Sequence, residues 1–81
     1  MKSYYKACKD IKAVNAYLKK IGCGAFEFDE DLILDAEFDY DGWQNDEETE
    51  GVSVQVTTSY EVYVTKYTNK DLEVSEENEN V

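Results

Sequence analysis

The chain predicts an α+β fold: an N-terminal amphipathic helix packed on a four-stranded antiparallel β-meander, followed by a disordered acidic C-terminal tail. Two changes of pattern point there. Apolar residues recur at helical spacing up to Ile21, and beyond Gly24 the period drops to two. Length agrees, since 81 residues supply one small core and little more.

The helix is expected over 4–21. Tyr4, Ala7/Cys8, Ile11, Val14, Leu18 and Ile21 form its apolar stripe, with Lys6, Lys9, Lys12 and Lys19 on other faces. Ser3 suits the N-cap, and Gly22 suits a left-handed stop. Lys19 and Lys20 complement the negative end of the helix dipole.

The strands are expected at about 25–29, 32–40, 51–57 and 60–67. A loop Asp29-Glu30-Asp31 would pair Phe28 with Leu32 and Phe26 with Leu34. A loop Thr57-Thr58-Ser59 would pair Val56 with Tyr60 and Val54 with Val62. Neither loop holds the Gly or Asn of tight hairpins, so a bulge or bend in one longer strand is the alternative. Either way, even-numbered apolar residues face the helix. Residues 1–67 then form one domain. Residues 68–81 are Asn/Glu-rich with few apolar side chains and are expected to be disordered.

Charge is divided along the chain. Residues 1–24 hold six Lys and one Asp, whereas 25–81 hold eighteen acids and two Lys, for a net charge of −11. Direct binding to nucleic acid needs a dominant basic surface, which this balance argues against; it favours a basic partner. Cys8 on the helix and Cys23 beyond it are too far apart for a bridge across about 20 Å of helix, so both are expected as reduced thiols. No run approaches a membrane span and no apolar leader follows Met1, so a cytoplasmic location is expected.

Twelve carboxylates and no Lys or Arg lie between Glu27 and Glu50. Along the predicted strands Glu27, Asp29, Asp35, Glu37, Asp39 and Asp41 hold odd positions and should form a row on the wet face. Neighbours in such a row stand roughly 6.6 Å apart, close to the spacing of phosphates along a nucleic-acid strand. Ser53, Gln55 and Thr57 of the next strand are neutral, which keeps like charges from facing each other. The connection 41–50 adds Asp46, Glu47, Glu48 and Glu50 around Trp43. That Trp reads equally as an interface anchor or as a lid on the core edge. Glu61, Tyr63 and Tyr67 share the wet face and suit recognition of cationic groups.

Glu37, Asp39, Asp41, Gly42 and Glu48 also fall on positions 1, 3, 5, 6 and 12 of the EF-hand loop. The segment resembles that family over twelve residues only. Position 1 is Glu, position 8 is the polar Gln44, and the flanks read as strands. A calcium-binding module is therefore a lesser alternative, and no metal or cofactor is expected. The chain has no His and no Arg, no phosphate-binding Gly loop and no CxxC, so it is not expected to be an enzyme.

In size, charge and arrangement the chain resembles the small acidic inhibitors of bacteriophages and mobile elements: anti-CRISPR, anti-restriction and other anti-defence proteins. The resemblance is of type and rests on no shared motif. It implies an inhibitor that blocks a basic nucleic-acid-binding protein by mimicking phosphates, acting as a monomer or homodimer in the host cytoplasm. An immunity protein or antitoxin against a basic nuclease has the same electrostatic requirements. A self-assembling structural subunit, basic helix against acidic sheet, is a further alternative.

Overall fold

A computed structural model describes residues 1–24 and 26–71. These residues form helix α1 and a four-stranded antiparallel sheet, in the order β1 (Lys2–Ala7), α1 (Ile11–Lys20), β2 (Phe38–Trp43), β3 (Glu50–Val56) and β4 (Glu61–Thr68). The strands lie in the order β1-β4-β3-β2. β2, β3 and β4 follow one another as hairpins, and β1 joins the free side of β4.

The expected helix 4–21 is thus two elements. Lys2–Ala7 is a strand, with Tyr4 packed against the core while Ser3 and Tyr5 face away and are exposed. The helix begins after Asp10, not Ser3: the Asp10 carboxylate accepts the Ala13 N–H at 2.9 Å. Ile11, Val14 and Leu18 are buried, and Lys12, Ala16, Lys19 and Lys20 are exposed. Gly22 stops the helix at φ +86. Lys66 of β4 reaches the same end: its ammonium donates to the Ile21 carbonyl and lies 5.6 Å from the centre of the Tyr4 ring. A cation at a helix C-terminus opposes the dipole and satisfies an orphan carbonyl. A side chain at position 22 would meet that ammonium at 3.0 Å.

The strands expected at 25–29 and 32–40 are also corrected. Residues 26–37 form no ladder, and pairing starts only at Phe38 and runs on to Trp43. The alternation in 26–37 records contact with the core rather than strand pairing. Phe26 packs edge-on against Tyr40 at 4.7 Å and Phe28 against Phe38 at 5.0 Å. The Asn15 side chain supplies what a neighbouring strand would: it donates to the Phe28 carbonyl and accepts the Phe28 N–H, each at 2.8 Å. Asp29 to Leu32 closes as a turn at 2.9 Å without the expected pairing of Phe28 with Leu32.

β3 and β4 lie close to their expected places, but their hairpin register differs by two residues. Val56 pairs with Val62 and Val54 with Val64. The three-residue turn sits one residue further along, at Thr58-Ser59-Tyr60, where Tyr60 takes φ +63 and Thr57 faces Glu61 across it. A shift of two keeps parity, and every even-numbered Val of β3 and β4 from 52 to 64 remains buried. Those valines, with Ile11, Val14, Leu18 and Cys23, form the core.

At the C-terminal side β4 runs to Thr68 and a helical turn follows to residue 71. Asp71 accepts the Thr68 N–H at 2.8 Å and pairs with the terminal ammonium of Met1 at 3.4 Å. Residues 68–71 are therefore structured, contrary to expectation. The rest of the expected disordered tail, 72–81, lies outside the described residues, as does Ala25. Cys8 sits after β1 rather than on the helix, and both cysteines are free. Among the described residues no helix is long and apolar enough to cross a membrane.

Helix α1 and the segment after it carry the chain across one face of the sheet, from the β1 edge to the β2 edge. Among the described residues no helix or strand packs on the opposite face.

Candidate functional site

The register defines what the uncovered face carries. Residues paired across antiparallel strands point the same way, so three rows run across the sheet. Tyr5, Tyr63, Gln55 and Asp39 form one; Ser3, Thr65, Ser53 and Asp41 the next; Tyr67, Gly51 and Trp43 the third. Short hydroxyl side chains lie in the middle, with aromatic pairs at both ends. Tyr5 and Tyr63 stand 4.9 Å apart, and Trp43 and Tyr67 5.8 Å.

Three carboxylates on this face are each held by a neutral donor. The Gln55 amide donates to Glu37. The Tyr67 hydroxyl donates to Asp41 at 2.6 Å, and the Tyr5 hydroxyl donates to Glu61 at 2.8 Å. A neutral donor orients a carboxylate and leaves its charge in place. Among the described residues no cation lies within ion-pair distance of Glu37, Asp39, Asp41 or Glu61. The hydroxyls register the negative field. Tyr67 is pushed up to about 12, chiefly by its hydrogen bond to Asp41, and Tyr5 is raised chiefly by its hydrogen bond to Glu61.

Gly51 makes the Tyr67 arrangement possible. The Tyr67 ring lies across the backbone at position 51, and a Cβ there would come within 2.2 Å of it. Gly inside a strand often marks such a close approach. Gly51→Ala should therefore displace the ring, break the Asp41 bond and cost about 1–3 kcal/mol by overpacking. Difference titration against Tyr67→Phe should show the Tyr67 pKa falling from about 12 toward the ordinary tyrosine range. The sign follows from the raised value: the bond contributes its full stability below pH 10 and loses it as pH climbs through about 12. An unchanged Tyr67 titration in Gly51→Ala would refute the ring placement.

The expected acidic row is only partly assembled. Glu37, Asp39 and Asp41 share the open face, with Asp39 opposite Gln55 and Asp41 opposite Ser53. Glu27, Asp29 and Asp35 lie outside the ladder and its entry that align these three, in a segment before β2 whose Phe26, Phe28 and Leu34 pack against the core. Glu27 and Glu30 line a depression there with Lys12 and Lys19. The row breaks where the chain passes from that covering segment into the sheet.

The connection expected over 41–50 is also shorter, since Asp41–Trp43 belong to β2 and Glu50 starts β3. Asp46, Glu47 and Glu48 are exposed at its tip. Asn45 holds the loop by accepting the N–H groups of Thr49 at 3.1 Å and Glu50 at 3.2 Å. Trp43 is half-buried beside Tyr67 on the open face and is outside the core. The calcium-loop positions fall on a strand and hairpin, where Glu37 and Asp41 are roughly 13 Å apart along the strand, so they do not converge on one point.

None of the three donor pairings is legible in the sequence: Tyr5 falls within the expected helix, Gln55 depends on the strand register, and Tyr67 reaches Asp41 across β3. Comparison with family models, curated proteins and solved structures returned no match. What the face can do therefore rests on its own chemistry.

Proposed function

We propose that this chain is a non-enzymatic inhibitor that blocks a basic nucleic-acid-binding protein, its carboxylates taking the place of phosphates. One observation carries the reading: Glu37, Asp39 and Asp41 follow one another along one side of β2 and its entry, Glu37 and Asp41 oriented by neutral donors and all three unpaired with any described cation. Repulsion within such a row opposes folding, so a binding role accounts for its presence. Asp46, Glu47, Glu48 and Glu50 extend the negative field along the β2–β3 hairpin, and Trp43 supplies an aromatic anchor beside it. Attraction at long range would speed the encounter with a cationic groove, and desolvated contacts would then set the lifetime of the complex. Anti-defence factors of phages and mobile elements form the class whose size and charge this chain shares.

The test is competition. Tagged protein is used to capture partners from nuclease-treated host lysate, and the complex is then challenged with DNA and RNA. Release of a nucleic-acid-binding protein by polynucleotide is the expected result. A captured partner that holds its nucleic acid and this chain together would overturn the proposal.

A further inference from the structure

The open face carries two aromatic–carboxylate stations in addition to its acidic strand. At one end Trp43 and Tyr67 meet edge to face, with Asp41 bonded to the Tyr67 hydroxyl and Asp39 on the same strand. At the other end Tyr5 and Tyr63 lie against each other, with Glu61 bonded to the Tyr5 hydroxyl. Tyr63 and Tyr67 belong to one strand and are four residues apart, about 13 Å. Among the described residues, Ser3, Ser53 and Thr65 lie between the stations, and their short side chains leave room for a chain to approach. Tyr5 is 53% exposed and Tyr63 42%, so their rings are open to a ligand.

We infer that this face takes arginine side chains of a protein partner, one guanidinium at each station. The inference rests on the proposed function and names the chemistry that the inhibitor recognises. A guanidinium is planar and weakly hydrated, stacks on an aromatic face and forks onto a carboxylate. Each tyrosine hydroxyl engages one oxygen of its carboxylate, Oδ1 at Asp41 and Oε2 at Glu61, and the other oxygen takes no hydrogen bond from a described side chain. A lysine ammonium gains the same charge attraction but gives up more hydration and stacks less well. Nucleic-acid bases also stack on Tyr and Trp, yet their phosphates would lie beside Asp39, Asp41 and Glu61 on a chain of net charge −11. The face therefore favours a cationic protein segment.

Trp43 is the sole tryptophan and sits at one station, so its fluorescence reports binding directly. The protein is titrated with an oligo-arginine peptide, an oligo-lysine peptide of equal length and a single-stranded oligonucleotide, at matched ionic strength. Two stacked guanidinium groups should give the arginine peptide an advantage of roughly 5- to 30-fold over the lysine peptide. Tyr63→Ala should remove much of that advantage, while Tyr40→Ala, on the helix-side face, should retain it. Circular dichroism of both variants verifies that they fold. Equal binding of the two peptides would overturn the arginine stations and leave the charge-based function standing. Binding of neither would overturn both, and preferential binding of the oligonucleotide would overturn the choice of a protein ligand.

Discussion

Leu18→Ala should cost about 3–5 kcal/mol and come close to unfolding the chain. The buried side of the sheet is floored by five valines, at 52, 54, 56, 62 and 64, each at most 1% exposed. Valine is β-branched and fits the pleat but reaches only a short way above it. The space between sheet and helix is filled from the helix side, by Ile11, Val14 and Leu18, and Leu18 is the largest of the fully buried side chains. Truncating it removes transfer energy and leaves a void that stiff valines cannot close. A domain of this length holds roughly 4–12 kcal/mol in total, so the loss is a large part of it. At about 4–8 °C per kcal/mol, the melting temperature should fall by more than about 12 °C. Ile33→Ala is the matched control, because Ile33 is equally aliphatic but 74% exposed, and it should change stability by less than about 0.5 kcal/mol. Equal effects from the two substitutions in urea unfolding would refute the packing of α1 on the sheet.

What could be read from sequence follows from which physical signal each element leaves. β3 and β4 were legible because alternate valines on a half-buried sheet produce strict period two. Their register was not, because the left-handed residue of the turn is Tyr60 rather than Gly, so the position of the turn left no mark. The N-terminal strand was hidden by coincidence. Tyr4 and Cys8 extend the helical stripe of Ile11, Val14 and Leu18, although Asp10 already marked the true N-cap. In 26–37 the alternation was real but its cause was misread: packing against Phe38 and Tyr40 selects every second residue as a strand does, and Asn15 serves the Phe28 backbone in place of a ladder. The outward parity of Glu37, Asp39 and Asp41 survived all these changes because the register of β2 on β3 preserves it. The neutral donors did not show, since Tyr67 reaches Asp41 across an intervening strand. Gly51 was the one local sign of that crossing.

Replacing Glu37, Asp39 and Asp41 together by Gln, Asn and Asn should slow association with the captured partner by about tenfold or more. These substitutions isolate charge. The amide oxygens that take the place of the carboxylate oxygens still accept from Gln55 and Tyr67, so the geometry of the face is kept while three negative charges go. Folding should gain on the order of 1 kcal/mol at low salt, because repulsion along β2 is relieved and a Debye length of about 8–10 Å does not screen neighbours at strand spacing. For the unmodified chain, added salt should raise stability and weaken partner binding; in the variant both slopes should flatten. Charged residues on an edge strand also discourage pairing with other strands, so sedimentation must show the variant at its original mass before its rates are compared. Glu27→Gln/Asp29→Asn/Asp35→Asn removes the same number of charges from the segment that precedes β2. If the open face is the docking surface, that variant should lose much less association rate than the first. Equal losses would mean that net charge alone drives the encounter, and an unchanged rate in the first variant would remove β2 from the interface.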